Sequence, residues 1–224
     1  MRTLFLTAVV ASMMASSSSF AAQPSSWPDT PIARVSALAV LQSLNADLLS
    51  HDSATLTLDR WCSDHKLADH AKIVAEPVKG VDKPATAEIR AALKVGEADK
   101  VGYRRVRLMC GERVLSDADN WYVPSRLTAD MNKALETTDA AFGRVVKPLN
   151  FQRHTLSAKL LWQPLPEGWD MGAAIPAASD KALELPDHVI EHKALLSLPD
   201  GAPISMVVES YTRHVLDFAP PTVK

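Results

Sequence analysis

Cysteine and glycine are scarce: the chain has two Cys and eight Gly among 224 residues. Two cysteines cannot staple a disulfide mini-protein, and so few glycines exclude a collagen-like repeat. Charge of one sign is missing too, since 24 Lys+Arg stand against 26 Asp+Glu. Nucleic acid, which calls for a dense basic surface, is therefore not an expected partner. There is no Gly-x-Ser-x-Gly elbow, P-loop or Gly-x-Gly-x-x-Gly run, so the usual motif support for serine hydrolases, nucleotide binding and dinucleotide binding is lacking. The seven histidines do not converge. His188 and His192 read as strand, where their spacing covers about 13 Å, and His65 and His70 lack acidic or Cys partners at ligand spacing. A metal is not expected. What is present, 47% hydrophobic and 22% charged residues, describes a soluble globular domain.

The N-terminus carries a targeting signal. Met1-Arg2 supplies a positive charge, Leu4 to Ala11 is mostly apolar, and Ser19-Phe20-Ala21-Ala22 offers small residues for cleavage. This pattern predicts a signal peptide over 1–22, a mature domain over 23–224 and a periplasmic or secreted location. The apolar core is shorter than the roughly 20 residues of a membrane span, and no later segment reads as one. In an oxidising compartment Cys62 and Cys110 are expected to bridge, contributing about 4 kcal/mol by restricting the unfolded chain. Two separate buried thiols are the alternative.

Periodicity organises the rest. Thr30-Pro31 starts an amphipathic helix carrying Ile32, Val35, Leu38, Leu41, Leu44 and Leu48. Asp52-Ser53 can cap a second helix with Leu58, Trp61 and Cys62. A strand is expected over 71–78 and a short helix over 86–94. From residue 101 the period is two: Val106, Leu108 and Cys110 alternate with Tyr103, Arg105, Arg107 and Met109. A return strand follows the Gly111-Glu112-Arg113 turn and stops before Pro124. Thr128 can cap another helix, residues 151–162 read as a strand, and 163–186 form a long Pro-rich excursion of the kind often used as a lid. A final hairpin turns at Pro199-Asp200-Gly201. The expected fold is one α+β domain: an antiparallel sheet with helices packed on it and flap segments over an internal pocket.

Two ionisable residues lie within apolar strands, Arg105 and Glu209. Alternation places Glu209 on the face of Val207 and Tyr211. On a solvated face these are ordinary surface charges; around a pocket, a guanidinium can grip a carboxylate through two parallel hydrogen bonds. The run Arg105-Val-Arg-Leu-Met-Cys110, with Pro124 closing Asn-Trp-Tyr-Val-Pro, resembles the central hairpin of bacterial chorismate lyase without a gap. Leu48 to Thr55, Ala141-Phe142-Gly143, and Gly201-Ala-Pro with Glu209 resemble further segments of that family. Its fold is shared by ligand-sensing domains of GntR-type regulators.

The resemblance implies that Arg105 binds a ligand carboxylate and Glu209 contacts the hydroxyl-bearing end, both as catalytic residues. It also implies that Phe142 offers its backbone N–H to the carboxylate, that Ala54 contributes main chain, and that Asn120 lies near the pocket in place of a family Arg. The reaction implied is elimination of pyruvate from chorismate to give 4-hydroxybenzoate, with neither a metal nor an organic cofactor; the protein is expected to be a monomer. A non-enzymatic exported binder of a small aromatic carboxylate is the alternative. A partner-binding domain in which neither residue matters is the third reading.

Overall fold

The computed structural model describes residues 27–222. The expected signal peptide lies outside them. Helix α1 (Pro31–Leu49) starts where Thr30 accepts a hydrogen bond from Ala33 N and Pro31 fills the first helical position. Its buried face is Ala33, Ala37, Leu41, Leu44 and Leu48, while Ile32 is exposed. The stripe expected from Ile32 and Val35 is thus rotated, because the two small alanines let the helix start approach closely. Each fully buried leucine contributes about 1.5–3 kcal/mol. By length and composition α1 could cross a membrane, but this stripe packs into the core.

Helix α2 (Ala54–Asp64) is capped by Ser53, whose side chain accepts from Leu56 N. Strand β1 (Ile73–Pro77), the short helix α3 (Ala87–Ala92), and strands β2 (Gly102–Cys110) and β3 (Arg113–Tyr122) follow. Next come α4 (Ala129–Thr137), capped by Thr128, the single-turn α5 (Phe142–Val145), strand β4 (Gln152–Leu160), and the hairpin β5 (His188–Ser197) with β6 (Pro203–Thr212). The six strands form one antiparallel sheet in the order β1-β2-β3-β6-β5-β4. The protein is a single α+β domain.

The sheet has two different faces. The inner one meets α1 and α2 in the main core, which includes Leu41, Leu44, Leu58, Ala118, Val207 and Tyr211. The outer one is covered at one end by α3, where Ile89 and Leu93 pack on Trp121 and Met206. A disulfide joins Cys62 of α2 to Cys110 at the end of β2, with both residues fully buried and their Cα atoms 6.1 Å apart. It ties the helix that supplies one wall of the site to the strand that supplies another.

The excursion between β4 and β5 does not act as a lid. It is pinned beside the start of α1, where Asp29 N donates to Lys181 O, Leu183 N to Trp27 O, and Arg34 Nη1 to Pro164 O. Leu165 and Leu183 are buried there, and no residue of the excursion lines the cleft described next.

Candidate functional site

A cleft of about 510 Å³, including its open mouth, lies on the inner face of β2, β3 and β6. Its floor presents Arg104, Val106, Ala118, Asn120, Val207 and Glu209; Ser53, Ala54 and Thr55 form one wall, and Phe142 and Gly143 another. Its lining mixes apolar side chains with a few converging charged and polar groups, the combination expected of a small-molecule cleft.

The floor follows from strand parity and register. Arg104 pairs with Asn120 and Asn120 with Val207, while Ala118 pairs with both Val106 and Glu209. Arg104 and Glu209 are therefore two strands apart and two residues out of line, a Cα separation of roughly 12 Å on a shared face. They stand at opposite ends of the cleft.

At the first end, Arg104 is half-buried, and its Nη2 donates to the carbonyl of Ala140 at 3.3 Å. Among the described residues no carboxylate lies within ion-pair distance of it. Burial lowers its pKa from the ordinary arginine value, opposed by the nearby Tyr122 hydroxyl. Beside it lies the N-terminus of α2, where Ser53 Oγ accepts from Leu56 N and the N–H groups of Ala54 and Thr55 find no acceptor among the described residues. First-turn N–H groups carry partial positive charge, so this end favours an anion.

The other end is already paired. Arg153 Nη2 donates to Glu209 Oε2 at 2.6 Å, with the two side chains only 4% and 8% exposed. Tyr211, fully buried, donates its hydroxyl to the same oxygen at 3.1 Å. Burial and then the Glu209 charge raise the Tyr211 pKa well above its usual value, so it stays a donor. Burial alone would weaken the Arg153 charge, but Glu209 and Tyr211 outweigh it and raise the pKa. Because both partners use Oε2, Glu209 Oε1 is left free where the residue lines the cleft. Beneath the pair, His192 is fully buried, opposite Glu209 in register, and hydrogen-bonded through Nε2 to Asn45 of α1 at 2.8 Å.

The structure brings together Ala54, Asn120, Phe142 and Glu209 of the expected site residues. Asn120 Oδ1 accepts from Ser205 Oγ, so part of its capacity is spent inside the protein. Arg105 is a correction. It lies on the outer face with Asp117, Asp119, His188 and Ser210, and does not share the cleft with Glu209. The reason is alternation: Val106 and Leu108 point inward, so Arg104 does and Arg105 does not. Arg153, also missed, sits on a strand whose pattern reads as surface. Among the described residues no group of three or more His, Cys, Asp or Glu side chains is placed to hold a metal ion.

No protein-family model matches the chain. Solved structures similar to it include PhnF from Mycobacterium smegmatis, a GntR-family transcriptional regulator from Enterococcus faecalis V583, and the possible transcriptional regulator YydK from Bacillus subtilis. PhnF is 13% identical, with 78% of this chain and 70% of that one covered and a TM-score of 0.47. The E. faecalis regulator is 13% identical, with coverages of 67% and 99% and a TM-score of 0.40. YydK is 15% identical, with 68% of this chain and 62% of that one covered and a TM-score of 0.38, so the chain spans less than two thirds of its length. In sequence, the chain is 61% identical over 196 residues to uncharacterized protein y4mC from Sinorhizobium fredii, covering 87% of this chain and 83% of that one. Identity at that level across most of both proteins means that the chain belongs to the same family as y4mC.

Proposed function

We propose that the cleft binds a small aromatic monocarboxylate carrying a hydrogen-bond donor at its far end, a class represented by 4-hydroxybenzoate. The observation that carries this reading is Arg104, a half-buried guanidinium with no carboxylate partner among the described residues, beside the first-turn N–H groups of α2. A ligand carboxylate there would meet a charge-assisted donor and a helix N-terminus together. Phe142 and Ala54 would act through their main chains at this end. The ring would lie over Val106 and Val207, and its donor would reach Glu209 Oε1.

Counting charge separates binding from elimination of chorismate. The lining includes Arg104 and Arg153 against Glu209 and, at the exposed mouth, Asp52. Arg153 is spent on Glu209, leaving one guanidinium uncommitted. One carboxylate matches it. Chorismate is a dianion, and its second carboxylate would enter a partly dehydrated site without a partner, which is costly. The lyase reading shares the two ends of the cleft and rests on the sequence resemblance; monocarboxylate binding asks less of the site. The Cys62–Cys110 bridge supports an exported protein.

Thermal unfolding of the purified protein with a ligand panel tests the reading. Saturating 4-hydroxybenzoate raises the midpoint, since ligand at one hundred times its Kd stabilises by about 2.7 kcal/mol. Neutral 4-hydroxybenzamide leaves it unchanged. Equal shifts with both compounds would remove the carboxylate end of the proposal. Incubation with chorismate followed by HPLC yields no 4-hydroxybenzoate above buffer on the binder reading, whereas enzyme-dependent product would establish the lyase.

A further inference from the structure

The wall of the cleft that bears Phe142 and Gly143 is short. Helix α5 is a single turn; Ala141 is buried in the main core, and Val146 and Phe142 pack with Phe151, Leu196 and Ile204. Ala75 N of β1 donates to Asp139 O at 3.0 Å at the start of the segment that carries α5, and the segment's side-chain attachment to the neighbouring elements comes from Arg144, which is not a lining residue. Arg144 Nη2 donates to Asp59 Oδ2 of α2 at 2.6 Å, and Nη1 donates to the carbonyl of Ile73 on β1 at 2.8 Å. The other Asp59 oxygen, Oδ1, accepts from Ile73 N at 2.6 Å. One guanidinium and one carboxylate thus close a ring through three elements: α2, α5 and β1. Both side chains are largely buried, at 29% and 23% exposed, so solvent screens the pair less than a surface bridge.

Two neighbouring contacts link this ring to the cleft. Gly143 sits so close to the α2 cap that a β-carbon there would stand 2.8 Å from Ser53 Oγ. Arg104 itself donates to Ala140 O at the entry to the same segment. The segment is therefore seated against the wall that holds Ala54 and is touched by the arginine that would take the ligand carboxylate.

We propose that Arg144 and Asp59 are positioning residues that hold the 139–146 segment down on the cap of α2, and thereby set how fast ligand enters and leaves the cleft. This rests on the cleft being the ligand site. Neither residue touches the ligand, so their loss changes the two rates together and the equilibrium less. If the clamp is cut, the ligand still finds Arg104 and Glu209, but the wall opens more often.

Hydrogen exchange by mass spectrometry on the ligand-free protein tests the clamp independently of any ligand. In Asp59→Asn and Arg144→Leu, amides of the 139–146 segment exchange faster by on the order of tenfold, as expected for loss of a charge-assisted hydrogen bond. Amides of the β5–β6 hairpin exchange as in wild type. Arg144→Lys, which keeps a cation beside Asp59, falls between. Gly143→Ala, which leaves the ion pair in place but crowds Ser53, loosens the same segment. Stopped-flow binding of 4-hydroxybenzoate then shows association and dissociation rates both raised, with Kd changed by less than either. Wild-type exchange of the segment in both clamp variants would overturn the proposal. So would faster exchange spread evenly over all strands, which marks a general loss of stability. Failure of wild type to bind, with the segment still loosened in the variants, would sink the ligand reading and leave the clamp standing.

Discussion

The two faces of strands β2, β3 and β6 hold their charges under different rules. On the outer face Tyr103 donates to Asp119 at 2.6 Å, Lys83 lies 2.9 Å from Asp119, and His188 lies 2.9 Å from Asp117, with Arg105 close enough to influence Asp119. These groups neutralise one another at a partly hydrated surface, where an ion pair is worth about 0–1 kcal/mol. On the inner face a carboxylate and its guanidinium are almost completely dehydrated, and a second guanidinium has no carboxylate within ion-pair distance among the described residues. Adjacent arginines on one strand thus end in opposite circumstances. Arg105 has company already, while Arg104 keeps the capacity to receive a guest.

Several perturbations would break or sharpen this contrast. The largest effect is expected from Arg153→Ala, which strands Glu209 in the interior without its counter-ion. Urea unfolding should show a loss of about 3–5 kcal/mol. Arg153→Met combined with Glu209→Gln removes both charges and recovers much of that loss. If Arg153→Ala alone costs less than 1 kcal/mol, the inner pair is no different in kind from the outer ones.

Acid should expose the inner face next. Burial lowers the His192 pKa from 6.5 to about 4, against the raising influence of Glu209. The unfolded chain therefore takes up this proton first, near 6.5. The associated stability is intact above pH 6.5 and is lost as pH falls from about 6.5 to about 4, reaching about 3 kcal/mol at the lower end. Denaturant titrations at pH 7, 5.5 and 4.5 measure the slope, and His192→Gln should flatten it. An unchanged slope would mean that His192 is not buried neutral. The smallest effect belongs outside: Lys83→Ala, which removes an exposed partner of Asp119, should change stability by less than about 1 kcal/mol.

Much of the architecture was legible because local signals agreed. Thr30-Pro31, Ser53 and Thr128 mark the three longest helices as caps, period-two alternation marks β2, and the turns at Gly111-Glu112-Arg113 and Pro199-Asp200-Gly201 mark β3 and the β5–β6 hairpin. The inward parity of Arg104 follows from the same alternation, since Val106 and Leu108 point inward and Arg104 shares their face. A gapless match along the chain favoured Arg105 instead. That match counts residues but not pleats. Arg153 could not be found this way. One arginine in an alternating edge strand looks solvated, and its burial depends on Glu209 two strands away, across β5. The excursion over 163–186 looked like a lid because Pro and Gly report irregularity, not what the loop packs against.

The central claim is that the inner arginine, not its neighbour, receives a carboxylate. Isothermal titration of 4-hydroxybenzoate into wild type, Arg104→Ala and Arg105→Ala measures it directly, with the β-sheet circular dichroism of each variant as a check on folding. Loss of a charge-assisted hydrogen bond predicts that Arg104→Ala weakens binding at least tenfold while Arg105→Ala stays within about twofold of wild type. Equal affinities for wild type and Arg104→Ala, or a larger loss with Arg105→Ala, would contradict the account.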